Sequence, residues 1–148
     1  MEGTDSIQII MKETKVTDCT IIEVPKIRDT QGRGNLAVIE KDTIPFSCKR
    51  VYYLYDVPSD AYRGGHAHKE LYQLLIPVSG SFEVILKDGT TTKTVTLNKP
   101  DKGLIIVPGI WRELENFSSG AVCLVLASHE FSEEDYIRNF EDFTLFKK

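Results

Sequence analysis

Arg63-Gly-Gly-His66-Ala-His68-Lys-Glu-Leu-Tyr-Gln73-Leu-Leu-Ile-Pro-Val-Ser-Gly80 governs the architecture of this 148-residue chain. His66 and His68 are one residue apart, so on an extended strand both imidazoles leave the same face, roughly 7 Å apart along the backbone. Arg63, Gly64 and Gly65 bring a cation and closely approachable backbone to the same place, as an anionic ligand requires. Downstream, Leu74, Leu75, Ile76 and Val78 are apolar and Gly80 ends the run. The histidine pair therefore belongs to a rigid strand packed on a core.

Working outward, the chain is long enough for one domain, expected over residues 16–148 behind an N-terminal extension of residues 1–15. A net charge of -4 argues against nonspecific binding to nucleic acid, so an anionic ligand must find a local basic patch. The three cysteines have no CxxC spacing, and the N-terminus has no charged-then-apolar leader; free thiols in a cytoplasmic protein are expected. No apolar run approaches the roughly 20 residues that span a bilayer, so no membrane partner is expected.

Short β-rich runs follow one another between Gly, Pro and Asp punctuation. A short strand is expected at residues 7–11, and others at 19–24 and 36–40. In the run 49–57, alternation puts Arg50, Tyr52 and Leu54 on one face and Val51, Tyr53 and Tyr55 on the other. Asp88-Gly89 is expected to supply the positive φ angles of a two-residue hairpin turn between residues 81–88 and 91–97. Further strands are expected at 104–107, 110–116 and 121–127. Only the tail reads as helical, with Ser132 as N-cap of residues 133–138 and acidic residues in the first turn. The fold class is all-β, a sandwich or barrel with a short C-terminal helix.

The histidine strand resembles the first motif of the cupin family, a double-stranded β-helix or jelly roll. His66-x-His68 is followed by four residues, Gln73, six residues and Gly80, so the spacing fits. The chemistry departs from it. Gln73 stands where metal-binding cupins carry Glu, and Glu113, five residues after Pro108, stands where they carry a third histidine. A neutral amide oxygen is a poor partner for a transition metal, so neither metal nor other cofactor is expected. Neutral imidazole can instead take a proton from carbon beside a carbonyl and return it nearby; two imidazoles on one wall could serve adjacent carbons. Arg33, Arg50, Arg63 and Arg112 are candidates to hold phosphate.

The residues Lys49-Arg-Val-Tyr-Tyr53, Arg63-Gly-x-His-Ala-His-Lys69, Gln73, Pro108-x-x-Trp111, Val125-Leu-Ala-Ser128 and Asp135-Tyr-Ile-Arg138 resemble the sugar 3,4-ketoisomerases. The resemblance runs from about Asp29 to Phe143. It implies a metal-free cupin that moves a ketone from C4 to C3 of dTDP-4-keto-6-deoxyglucose, working as a homodimer that exchanges N-terminal strands. It further implies catalytic roles for His66, His68 and Tyr52, with His66 the leading candidate for the base at C3, His68 assisting or delivering a proton toward C4, and the reverse order left open. Arg50 and Arg63 become pyrophosphate candidates, with Lys69, Gln73 and Trp111 also at the substrate. Residues equivalent to Arg33 and Arg112 track product configuration in that family, and this chain mixes the two patterns, leaving the stereochemistry open. A 3,5-epimerase of the same substrate, a noncatalytic nucleotide-sugar-binding cupin and a metal oxygenase are the alternatives.

Overall fold

The strand-like runs form a two-sheet sandwich in the computed structural model, which describes residues 11–148. In chain order the strands are β1 (Ile21–Glu23), β2 (Lys26–Arg28), β3 (Asn35–Ala37), β4 (Arg50–Leu54), β5 (Arg63–His68) and β6 (Gln73–Ser79). They continue with β7 (Phe82–Lys87), β8 (Thr92–Leu97), β9 (Lys102–Ile106), β10 (Trp111–Glu115), β11 (Val122–Ala127) and β12 (Tyr136–Ile137). One sheet has the order β1-β9-β6-β11-β4 and the other β12-β5-β10-β7-β8, while β2 and β3 form a separate hairpin. This is the jelly roll expected from the sequence.

Periodicity explains the layers. In β7 the alternate residues Phe82, Val84 and Leu86 are buried between the sheets, and Phe82 stacks on Phe117 with ring centroids 5.1 Å apart. β6 is central in its sheet, so its run of Leu74, Leu75 and Ile76 is buried on both faces. Leu75 joins the inner core with Leu104, Ile106 and Val125, whereas Leu74 and Ile76 meet Val24, Ile44 and Ile105 on the outer face. A third cluster, Ala67, Trp111, Ile137 and Phe143, lies under the C-terminal helix Phe140–Lys147.

Several expected elements move. The hairpin between β7 and β8 forms, but its tip is Gly89-Thr90, because only Gly89 adopts positive φ (98°) and the Asp88 amide donates to the Thr91 carbonyl at 3.2 Å. Asp88 works through its side chain instead. Its Oδ1 accepts from the Thr90 and Thr91 amides, and its Oδ2 accepts from the Val16 amide at 2.9 Å, tying the hairpin to the N-terminal segment.

The expected helix over residues 133–138 is a 3-10 turn, Glu133–Asp135, followed by β12, which pairs with β5 through Tyr136 opposite His68. Ser132 makes no side-chain cap. The helix starts later, where Asn139 Oδ1 accepts from the Glu141 and Asp142 amides. The strand expected at residues 7–11 falls on residues outside those described except for Met11, which is helical. Just beyond it, Thr14 Oγ1 donates to the Pro108 carbonyl at 2.7 Å.

β5 carries an irregularity that matters for the site. Arg112 pairs with His66, but Leu114, two residues on, pairs with Arg63, three residues back, so β5 bulges at Gly64 and Gly65. Gly64 has φ 77°, where an L side chain is strained, and a Cβ there would also press on Leu114 Cδ1 at 2.7 Å.

Burial raises the Asp88 carboxyl pKa, but its hydrogen bonds outweigh that and hold it at about 2. A carboxyl lowered on folding contributes stability above its ordinary pKa of 3.8, and the contribution is lost as pH falls toward 2. Asp88→Ala should cost roughly 2–4 kcal/mol in chemical denaturation at neutral pH and flatten the loss of stability in acid. An unchanged midpoint would show that the hairpin holds without it.

Candidate active site

A cavity of about 430 Å³ opens between the two sheets. Arg50, Tyr52 and Leu54 form one wall, since the alternation of β4 turns them inward and leaves Val51 and Tyr53 outside. The opposite wall is the bulged part of β5 with His66, Arg112 and Leu114 from β10, and Tyr136 and Arg138 from the segment around β12. Gln73, Leu75 and Val125 complete it.

The two imidazoles meet, but not as neighbours on one surface. His66 lines the cavity, whereas His68 is fully buried behind it. Their Nε2 atoms are 3.1 Å apart, the rings are nearly perpendicular at 89°, and the Tyr136 ring packs against both. The expectation of two imidazoles facing adjacent carbons is corrected to one imidazole in front and one in reserve. The reason is β12, which covers the end of β5 and brings Asp135 Oδ2 to 2.9 Å from His68 Nδ1.

Arg112 is the charge at the centre of the site. It is 1 % exposed; Nη1 donates to Gln73 Oε1, and Nε and Nη2 donate to the Ile110 carbonyl at 3.3 and 3.2 Å. Gln73 Nε2 in turn donates to the Tyr52 hydroxyl at 2.9 Å. Burial lowers Arg112 to about 10, which leaves it cationic at neutral pH. Burial first, then the Arg112 charge, holds His66 down at about 2. Burial also lowers His68, to about 4, against the opposing pull of Asp135. Both rings are therefore neutral bases at physiological pH.

Arg50 has Nε and Nη2 buried without a partner, while its guanidinium carbon lies 5.1 Å from the Tyr52 ring centroid. Orphaned guanidinium donors on a cavity wall suit an anionic oxygen ligand. The donor set does not suit a metal ion of the kind cupins carry. Gln73 is engaged at both ends of its amide, a fixed cation stands beside the histidines, and among the described residues no three His, Cys, Asp or Glu are grouped so as to hold a metal ion.

Of the residues singled out from sequence, His66, Tyr52, Arg50, Arg63, Gln73 and Arg112 line this cavity. Besides His68 behind it, three lie elsewhere. Trp111 faces the opposite side of its sheet, packed on Phe140 and Phe143, with Nε1 donating to Glu113 Oε2 at 2.8 Å. Strand alternation thus directs Arg112, not Glu113, inward. Lys69 is exposed just past β5, and Arg33 sits on the β2–β3 hairpin paired with Asp29 at 2.7 Å. Asp135, Tyr136 and Arg138 come to the site without having been assigned a place there. Their motif was visible, but reading it as helix hid the strand-like alternation that puts Tyr136 and Arg138 on one face.

Known proteins carry the same framework. Residues 17–148 match the family model FdtA, described as WxcM-like, C-terminal. The TDP-4-oxo-6-deoxy-alpha-D-glucose-3,4-oxoisomerase of Aneurinibacillus thermoaerophilus is 46% identical over 124 residues, covering 83% of this chain and 88% of that protein. A 3,4-ketoisomerase from Helicobacter canadensis is 45% identical with a TM-score of 0.84, over 88% of this chain and 97% of that one. A mutant of the 3,4-ketoisomerase QdtA from Thermoanaerobacterium thermosaccharolyticum, solved in complex with TDP-4-keto-6-deoxyglucose, is 41% identical with a TM-score of 0.83, over 88% and 94%.

The neutral histidine pair has a consequence for stability. Both rings are lowered on folding from an ordinary 6.5, so their neutral burial costs nothing above that pH. Below it the unfolded chain gains protons that the folded chain refuses, and stability falls as pH drops from about 6.5, through about 4 for His68 and on toward about 2 for His66. Denaturation of the protein and its His66→Asn/His68→Asn variant across this range should show the slope reduced in the variant. Equal slopes would contradict the assignment of neutral rings.

Proposed function

The chain belongs to the FdtA family, and from that premise we propose that it is a nucleotide-sugar 3,4-ketoisomerase, moving the keto group of TDP-4-keto-6-deoxyglucose from C4 to C3. The observation that carries this reading is a neutral imidazole, His66, on the wall of a cavity that also presents the unpartnered guanidinium of Arg50. The 4-keto group makes the C3 hydrogen acidic. His66 takes that proton, the C3–H electron pair forms a C3–C4 double bond, and the carbonyl electrons move to the C4 oxygen.

The Tyr52 hydroxyl accepts from Gln73, which leaves its own O–H free to donate to that oxygen. The buried charge of Arg112 stabilises the enediolate through space, since it is fixed before substrate arrives and needs no reorganisation. Proton transfer from the C3 hydroxyl and return of a proton to C4 give the 3-keto sugar. Arg50 and Arg63 hold the pyrophosphate, with Arg138 at the same wall.

The working unit in this proposal is a homodimer with exchanged N-terminal strands. The β2–β3 hairpin projects with Ile27 60% and Leu36 58% exposed, and the outer face of β4 shows Val51, Tyr53 and Tyr55 more than half exposed. Apolar surface of that extent calls for a partner. Arg33, remote from its own cavity, would reach the partner's by this exchange. The free cysteines, two of them buried, accord with a cytoplasmic home.

Incubation with TDP-4-keto-6-deoxyglucose in deuterated water, followed by NMR, should yield the 3-keto isomer, and His66→Asn should lower kcat about 10²–10⁴-fold. Deuterium entering at C5 would make the protein a 3,5-epimerase, and an unaltered sugar would make it a binding protein. For the dimer, Leu36→Asp should shift the sedimentation of the protein from dimer toward monomer; a wild-type monomer would dismiss strand exchange.

A further inference from the structure

His68 is fixed from both sides, by Asp135 Oδ2 at 2.9 Å from its Nδ1 and by His66 Nε2 at 3.1 Å from its Nε2. Asp135 is itself positioned, because its Oδ1 accepts from the Glu70 amide at 2.7 Å. An ionised carboxylate can only accept hydrogen bonds, so Nδ1 of His68 carries its hydrogen, and a neutral ring so protonated leaves Nε2 bare. That lone pair must be met by a hydrogen on His66 Nε2. The unprotonated nitrogen left to the pair is then Nδ1 of His66, the ring that lines the cavity.

We infer that Asp135 is a positioning residue that orders the protons along Asp135–His68–His66 and makes the two imidazoles a directional relay. The inference rests on the ketoisomerase reading. When His66 Nδ1 takes the C3 proton, the hydrogen on its Nε2 passes to His68 Nε2. His66 returns to neutrality with its hydrogen on Nδ1, and the positive charge resides on His68 against the Asp135 carboxylate. The movement reverses when C4 is protonated, so nothing is consumed.

The charged and titratable groups facing His68 agree with this direction. Asp135 and Tyr136 come from the C-terminal segment, His66 from its own strand, Arg112 from β10 and Arg50 from β4. The cation of Arg112 opposes charge on either ring, while the one carboxylate among these groups lies at His68. Burial raises the Asp135 carboxyl, but its bonds from His68 and Glu70 bring it below the usual range, which keeps it ionised.

Asp135→Asn tests this sharply. The Glu70 amide claims the single carbonyl oxygen of the new side chain, so its NH2 faces His68 Nδ1 and forces the hydrogen onto Nε2, where it confronts His66. The variant should keep its thermal midpoint and its affinity for TDP, hold KM within about threefold, and lose roughly 10²–10⁴ in kcat. Nitrogen-15 spectra of the unmodified protein should show His68 protonated at Nδ1 and bare at Nε2, with the order reversed in the variant. A variant with kcat within about threefold of the parent, or a parent whose His68 is protonated at Nε2, overturns the inference. Should the variant fail to fold, the parent's spectrum decides. A parent that shows the expected tautomer yet leaves the sugar unchanged refutes the ketoisomerase reading and not the proton order.

Discussion

A guanidinium sealed from solvent sets the terms for this site. Arg112 keeps its charge in the interior because Gln73 and the Ile110 carbonyl satisfy most of its donors, and that charge reinforces the burial that keeps the histidines neutral. Removing a partner from a buried ion costs several kcal/mol, so the Arg112–Gln73 contact holds the geometry of Tyr52 as well. One buried cation thereby helps burial keep the base unprotonated, aims a tyrosine hydroxyl through Gln73, and makes the environment unfavourable to a metal ion.

The fold supplies the positions that this chemistry needs. The bulge at Gly64 and Gly65 lets β5 change register against β10, so that Arg63 and His66 both reach the cavity although they are three residues apart. β12 closes the outer edge of β5 and delivers Asp135 and Tyr136 to the histidines. The C-terminal helix buries Trp111 and Phe143 on the far side, stiffening the same strand that carries Arg112. His66 and Arg112 thus stand on strands whose outer faces are backed by core.

Much of this was legible in the sequence, for identifiable reasons. Alternation in β4 grouped Arg50, Tyr52 and Leu54 on one face, the one the structure turns inward, and the His-x-His spacing with Gly80 pointed to the jelly roll. What was hidden depended on the phase of a strand relative to a turn. Counting from Pro108 set Glu113 at the position of the cupins' third histidine without saying whether it reaches the site; the turn at Gly109 (φ 79°) enters β10 so that Arg112 points in instead. Acidic residues before Tyr136 imitated a helix start, whereas the 3-10 turn and β12 use the same residues to reach His68. The order of the imidazoles, one behind the other, follows from that tertiary contact and from nothing local.

The most direct measurement is a crystal structure of the His66→Asn protein with TDP-4-keto-6-deoxyglucose bound. The account predicts the hexose ring in the cavity with C3 against position 66, the ketone oxygen at the Tyr52 hydroxyl and the pyrophosphate on Arg50 and Arg63. A sugar bound outside the cavity, or seated with C5 rather than C3 at position 66, would contradict it.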